Sequence, residues 1–342
     1  MKIKKRRRAT TLEQEAFNAP KLTLSQALEI VISGKRSEGI RERTLKDYAK
    51  FWRYFSEWMR ENYEEVEYID ELTTDHFRNY INYMRFDKER YSNHPNITTK
   101  QRVGLSDSTV NITLRCLKAL MNYLVHEEYL IANPLDRVKL IRQDVDLTNC
   151  FTDDEVKALF KAPNLRDYVG FRDYVAMNLL LDSGLRIGEL LSLRIDDVDF
   201  ATRFITISSQ NSKNRNARMV PVSNHVMRLI LQLIEENARH FKTERIFLSC
   251  YGANLGDRQF TKRLKYHAEK AGVEAAKVTA HVYRHTWARA MILNGCDPFT
   301  LQKIGGWSDI RTMRRYIQMD TEVMRKSHDV HSPVSTILNH KG

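Results

Sequence analysis

From residue 44 to residue 124 apolar side chains recur at steps of three and four, and a chain with this period buries it only by laying helix on helix. The densest stripe runs Leu45, Tyr48, Phe51, Trp52, Phe55, Trp58 and Met59, behind a start at Thr44 with Asp47 three residues on. Before it, Thr23 and Gln26 form a capping box that opens a helix carrying Ala27, Leu28, Val31 and Ile32. After it, a helix following Thr74 carries Phe77, Tyr80, Ile81 and Met84, and one opened by Ser106 carries Val110, Leu114, Leu117, Leu120, Met121 and Leu124. On this last helix Arg115 and Lys118 lie off the stripe. The polar stretch 87–105, with Pro95, breaks the pattern and is expected as an exposed loop. With no strand signal, residues 21–133 are predicted to be an α-bundle, ended by Asn133-Pro134.

The second half has a different grammar. Thr152 and Glu155 form another capping box, and a long apolar helix through Tyr174, Met177, Leu180 and Leu181 stops at Ser183-Gly184. A new helix starts at once with Leu185-Arg186-Ile187-Gly188-Glu189, where a buried Glu189 would hold the Arg186 fork in one orientation. Alternating segments 204–207 and 219–222 predict a β-hairpin with Lys213 near its tip. There follow a helix 224–240, a short strand 246–248, and a helix 257–271 that buries Phe260, Leu264 and Ala268 and turns Arg258, Lys262 and Lys265 outward, a face suited to a DNA groove. The segment AHVYRH, from Ala280, opens the next helix with His281 and Arg284 on one face of its first turn, a place suited to hold a phosphate. The whole is thus expected as mainly α with a small antiparallel β-sheet in the second domain, an α+β class.

Chemistry is expected near the end. Gly295, Pro298, Gly305-Gly306 and Ser308 mark a helix stop, a helix start, a break and an N-cap, which places Tyr316 about two turns into a short helix with Arg311, Arg314 and Arg315. A tyrosine hydroxyl has a reference pKa of about 10 and needs cations around it to act as a nucleophile. Those arginines offer them.

The chain of 342 residues exceeds one ordinary core, and the boundaries expected are a basic arm 1–20, a helical domain 21–133, a linker 134–150, a second domain 151–320 and a tail 321–342. Its net charge is +12, half of it from Lys2, Lys4, Lys5, Arg6, Arg7 and Arg8, and this favours a polyanionic partner. No apolar run has the length of a membrane span, so a cytoplasmic, nucleoid-associated protein is expected with no membrane partner. Cys116, Cys150, Cys250 and Cys296 follow no metal-ligand spacing.

SGLRIGEL, the hairpin lysine, HVYRHT, GGWSD and Tyr316 follow one another in an order that resembles the tyrosine recombinase, or phage-integrase, family. The resemblance runs over 150–320 by motif and more loosely over 21–133, as that family's helical core-binding domain. It implies a two-domain DNA clamp and a catalytic set of Arg186, Lys213, His281, Arg284, Trp307 and Tyr316, with Glu189 in support and Arg115, Lys118, Arg258, Lys262 and Lys265 on DNA. Two places depart from the common pattern. Trp307 stands where most members have His, and the hairpin reads NSKNRN, so Arg215 competes with Lys213 as the acid.

By this resemblance Tyr316 attacks the scissile phosphorus to give a 3′-phosphotyrosine and a free 5′-hydroxyl. Arg186 and Arg284 bind the non-bridging oxygens, Lys213 protonates the leaving oxygen, and His281 accepts the tyrosine proton or orients its acceptor. Trp307 binds a phosphate oxygen and buttresses Tyr316. No metal and no other cofactor is called for. The expected partners are double-stranded DNA with an inverted-repeat core, a homotetramer on paired sites with the tail docked on a neighbour, and a directionality factor. The basic arm and the 87–105 insertion favour a mobile-element integrase. Xer-type resolution, a type IB topoisomerase and a non-enzymatic DNA-binding regulator are the alternatives.

Overall fold

The structure, a computed structural model, describes residues 20–89, 103–143, 149–209, 216–311, 316, 325, 328–329 and 332–334. The chain divides into two compact units at Val145 and Asp146.

The first unit is helical. Thr23 caps α1 (Leu24–Ser37) through the expected box with Gln26. α2 (Glu42–Asn62) begins ahead of Thr44: Arg41 is its N-cap and makes no side-chain cap bond, while Glu42 sits where the helix dipole favours an acid. Thr73 caps α3 (Thr74–Asn82), which runs into a π-turn at Tyr83–Asp87. Ser106 caps α4 (Asp107–His126). The aromatic stripe is core: Phe55 stacks on Phe77 at 4.7 Å between centroids, and Trp58 packs against Tyr63, Tyr80 and Tyr83. Of the loop at 87–105, Glu89 bridges to Val103, and the interior lies outside the described residues. The stretch expected to begin the linker packs on this unit instead. Leu135 and Val138 are buried in its core, and Ile141 exchanges backbone hydrogen bonds with the Asn111 amide, so the chain stays attached well past Pro134.

The second unit is built on α6 (Tyr168–Ser183), whose buried face runs from Val175 to Leu180. α5 (Asp153–Lys161), capped by the Thr152–Glu155 box, precedes it. α6 ends on Gly184 at φ 61, and a Cβ there would run into the Trp287 ring, so both the conformation and the close packing call for glycine. α7 (Ile187–Leu191) follows immediately. The hairpin is present and carries a third strand: β1 (Val198–Asp199) pairs antiparallel with β2 (Phe204–Ile207), which pairs with β3 (Arg218–Pro221) in the register Ile205 opposite Val220. The tip, with Lys213 and Arg215, lies outside the described residues.

α8 (Asn224–His240) and α9 (Asp257–Ala271) take the expected bounds. Between them the strand expected at 246–248 does not form. Ile246, Phe247 and Leu248 are fully buried, but their chain makes only isolated bridges, Arg194 with Arg245 and Leu248 with Asn254. An apolar triplet buried on all sides reads like a strand while its backbone bonds go to loops. α10 (Ala280–Leu293) and α11 (Pro298–Gly305) follow, with Pro298 at the first helical position and Asp297 capping it. Ile310 and Arg311 lie in a 3-10 turn, and the expected basic helix around Arg314 and Arg315 falls outside the described residues, as does most of the tail. Among the described residues no helix is long and apolar enough to cross a membrane.

Candidate active site

Arg186 takes its place from the junction of α6 and α7. Gly184 turns the chain left-handed, Leu185 plugs the core, and Arg186 becomes the N-cap of α7 with Glu189 at the third helical position. The Glu189 carboxylate, 1% exposed, accepts the Arg186 backbone N–H on Oε2 at 2.9 Å and its Nη1 on Oε1 at 2.9 Å. A second arginine approaches from β3: Arg218 donates Nη1 to Oε1 at 2.9 Å and Nη2 to Oε2 at 2.7 Å. Burial alone would raise the Glu189 carboxyl, but the Arg218 bonds and charge, followed by Arg186, hold it below the ordinary carboxylate value. It is therefore ionised at neutral pH, as the fork-holding role requires.

Arg284 opens the second turn of α10, with its side chain buried. It donates Nη1 to Gly184 O at 2.6 Å and Nη2 to Gly305 O at 2.7 Å, and its guanidinium lies 4.0 Å from the Trp307 ring centre. Burial, then the charge of Arg186, pushes Arg284 down to about 9. It still carries its proton at neutral pH, poised to gain from an incoming anion.

Trp307 leaves α11 just after Gly306, which caps the helix at φ 65; a Cβ on Gly306 would also press on Arg218 at 2.9 Å. The Trp307 ring stacks on Trp287 at 6.0 Å and 16°, and meets the Tyr316 ring at 6.0 Å and 53°. Tyr316 is 6% exposed in a small cluster with Trp287, Ala288, Ile292 and Leu301. Its hydroxyl is 2.5 Å from His285 Nδ1. So Arg186, Glu189, Arg284, Trp307 and Tyr316 are brought together, around the end of α11.

His281 lies exposed on the first turn of α10, and the imidazole at the Tyr316 hydroxyl is His285, one turn further on the same helix. Lys213 lies outside the described residues. Arg258, Lys262 and Lys265 are exposed on α9; in the first unit Arg115 is exposed on α4 and Lys118 is half-buried. Sequence reading missed Arg218 and His285. Arg218 had a signal, since it shares the inward face of β3 with buried Val220, where an arginine needs a partner. His285 had one too, four residues after His281 on the same helical face. Among the described residues no cluster of His, Cys, Asp and Glu is placed to hold a metal.

Residues 149–322 match the phage integrase family, and residues 23–140 match the phage integrase SAM-like domain. The first match spans half the chain, and the chain belongs to that family, the tyrosine recombinases, enzymes that cleave and rejoin DNA. It is similar to tyrosine recombinase XerC of Chlamydia caviae, 26% identical over 230 residues that make up 66% of this chain and 72% of the relative. It is similar also to XerD of Staphylococcus saprophyticus, 26% identical over 234 residues, 67% of this chain and 78% of the relative. Among solved structures, the Tn1549 transposon integrase in complex with a circular intermediate DNA matches with a TM-score of 0.69 at 20% identity, over 90% of this chain and 99% of that one. The XerH site-specific recombinase bound to palindromic difH substrate matches at 0.66 and 18% identity, over 90% and 84%. At these identities the likeness is one of fold, a helical N-terminal domain and a mainly helical catalytic domain with a small antiparallel sheet.

Proposed function

We propose that this chain is a site-specific recombinase that exchanges strands between duplex DNA sites through Tyr316, in the service of a mobile element. The observation that carries it is the meeting of Arg186, Arg284 and Trp307 with the Tyr316 ring around the end of α11. In this reading Tyr316 Oη attacks phosphorus, the bond to the 5′ oxygen breaks, and the phosphoester energy stays in a 3′-phosphotyrosine for rejoining. The tyrosine proton goes to an imidazole, and the 5′ oxygen takes a proton from Lys213 as it leaves. Arg186 and Arg284 stabilise the charge that grows on the non-bridging oxygens, and Trp307 holds Arg284 in place by a cation–π contact.

The two domains would clamp the duplex, with the exposed cations Arg115, Arg258, Lys262 and Lys265, and Lys118, on its phosphates and a tetramer on paired sites. A directionality factor and a tail docked on the neighbouring protomer belong to the same reading, as does a place on the nucleoid. The basic arm and the 87–105 insertion support the mobile-element role. Chromosome or plasmid resolution is a second reading, favoured by the XerC and XerD relatives.

The test is covalent capture. Wild-type chain is incubated with a random-sequence pool of nicked duplexes, and adducts resistant to denaturant are recovered and sequenced. Wild type is expected to enrich one inverted-repeat sequence, while Tyr316→Phe binds the recovered duplex and forms no adduct. An adduct formed by that variant overturns the assignment. Where the recovered sequence occurs decides the role: at the ends of an element carrying the gene for integration, at a single chromosomal locus for resolution.

A further inference from the structure

The last carbonyls of α11 are each held by a different arginine. Arg218 Nε donates to Ile304 O at 2.9 Å, Arg284 Nη2 to Gly305 O at 2.7 Å, and Arg186 Nη2 to Gly306 O at 3.1 Å. A helix C-terminus carries partial negative charge and carbonyls without intrahelical partners, so it favours three guanidinium groups there. Two of the three belong to the expected catalytic set. Arg218 does not, and its geometry gives it another task.

We propose that Arg218 is a positioning residue that sets the aim of Arg186, through Glu189 and through the end of α11 on which Arg186 Nη2 rests. This rests on the reading of Arg186 as a phosphate ligand. Both terminal nitrogens of Arg218 face the Glu189 carboxylate and its Nε faces Ile304 O, with its side chain 8% exposed, so the fork is turned away from any phosphate. Arg186, 19% exposed, commits one terminal nitrogen to Glu189 and keeps the other outside that pair.

Glu189 is the means of coupling. Left alone with Arg186, a buried carboxylate takes both terminal nitrogens in a two-pronged pair, the strongest geometry open to it. Arg218 prevents this by occupying the two oxygens from the β3 side, so that Arg186 meets Oε1 with Nη1 alone and its Nη2 stays at Gly306 O, beside Trp307. The same side chain pins Ile304 O, so the start of β3, the α7 cap and the end of α11 move as one body. Lysine cannot replace it, since one ammonium on a flexible stem does not fill three planar positions across two partners.

The experiment is a double-mutant cycle on the rate of single-turnover adduct formation, using the duplex captured by the wild type. Capture by the wild type tests the recombinase reading first, so its failure is seen before any Arg218 variant is made. Arg218→Lys is expected to melt close to the wild type and bind the duplex as tightly, yet form adduct at least roughly tenfold more slowly. In an Arg186→Ala background the same change is expected to cost less than about twofold, because the residue it acts through is gone. A duplex with sulfur in place of the leaving 5′ oxygen is expected not to rescue Arg218→Lys, which separates it from a defect in the acid on the hairpin. An equal loss in both backgrounds, rescue by sulfur, or no loss at all would overturn the proposal. Where Arg218→Lys fails to fold, Arg218→Gln, neutral and able to keep one donor on Glu189, is put through the same cycle, with the same losses expected and the same three results overturning the proposal.

Discussion

The catalytic unit contains two buried clusters of the same chemistry, one acid among several cations, and they are put to opposite uses. Around Asp173 the set is closed. Arg172, 1% exposed, donates Nη2 to Oδ1 at 2.5 Å and Nη1 to Leu248 O, while Arg263 and His267 both reach Oδ2, at 2.7 and 2.8 Å. Because a carboxylate only accepts, His267 Nε2 carries the proton in that bond, and its buried Nδ1 has no partner among the described residues. The charges of Arg172 and Asp173 are satisfied inside the protein, and the cluster ties α6 to α9 and to the chain at Leu248. Around Glu189 the set is open. The same kind of acid holds Arg186 and Arg218, but Arg284 sets both terminal nitrogens on backbone carbonyls, Gly184 O and Gly305 O, weaker acceptors than a phosphate, where Arg172 and Arg263 each bond the acid of their own cluster. A closed cluster fixes a fold; an open one holds reagents that a substrate can take over.

The largest effect is expected at the closed end. Asp173→Ala leaves Arg172 buried without its counter-charge, and loss of one partner of such a pair costs about 3–5 kcal/mol. The expected result is a large drop in unfolding free energy in urea, with the adduct rate per folded molecule unchanged. An equal fall in that rate would mean that the two clusters are not separate.

At the open end, Arg186→Ala is expected to do the reverse. Glu189 keeps Arg218, so melting changes little, while removing one donor to the developing charge costs about 2.7–4 kcal/mol, roughly a hundred- to a thousandfold in adduct rate. Measuring both variants by both assays gives the contrast directly. A variant that loses stability and keeps its rate at Arg186 would collapse it.

The two clusters were unequally legible in the sequence. Helix caps with a side-chain partner could be read at sight, as at Thr23, Ser106 and Thr152, because the cap side chain and the backbone it holds lie three residues apart. The start of α2 could not, since Arg41 caps with backbone alone. Arg186 and Glu189 were readable for the same reason of spacing. The partner of Arg218 was not, because it lies 29 residues away, and those of Asp173 were not, because Arg263 and His267 lie 90 and 94 residues further on. Local rules end where a charge finds its partner through the fold. His285 was the intermediate case: its helix and face were visible, but its meeting with Tyr316 depends on how the chain returns after α11.

A smaller effect sharpens the contrast through pH. Burial would raise the Asp173 carboxyl, but the His267 bond and then the Arg172 charge hold it below its ordinary value. A depressed folded pKa means that the unfolded chain binds the proton more readily, so the stabilisation is full above the unfolded value of about 3.9 and is lost as pH falls through the folded one. Urea unfolding between about pH 5 and pH 2 is expected to decline less steeply for Asp173→Asn than for the wild type. Equal slopes would place the acid sensitivity elsewhere. The smallest expected effect concerns the arm. Deleting residues 1–20 should flatten the dependence of log affinity on log salt by up to about 0.9 for each phosphate that the arm neutralises, and an unchanged slope would remove the arm from the interface.

All of this rests on one bond. The adduct captured on a nicked duplex can be digested with protease and nuclease and the linked peptide sequenced by mass spectrometry. A single modified residue is expected, Tyr316, joined through phosphate to the 3′ oxygen of the DNA, with a free 5′-hydroxyl on the released strand. A phosphate linked to any other side chain, or to the 5′ oxygen through Tyr316, would contradict it.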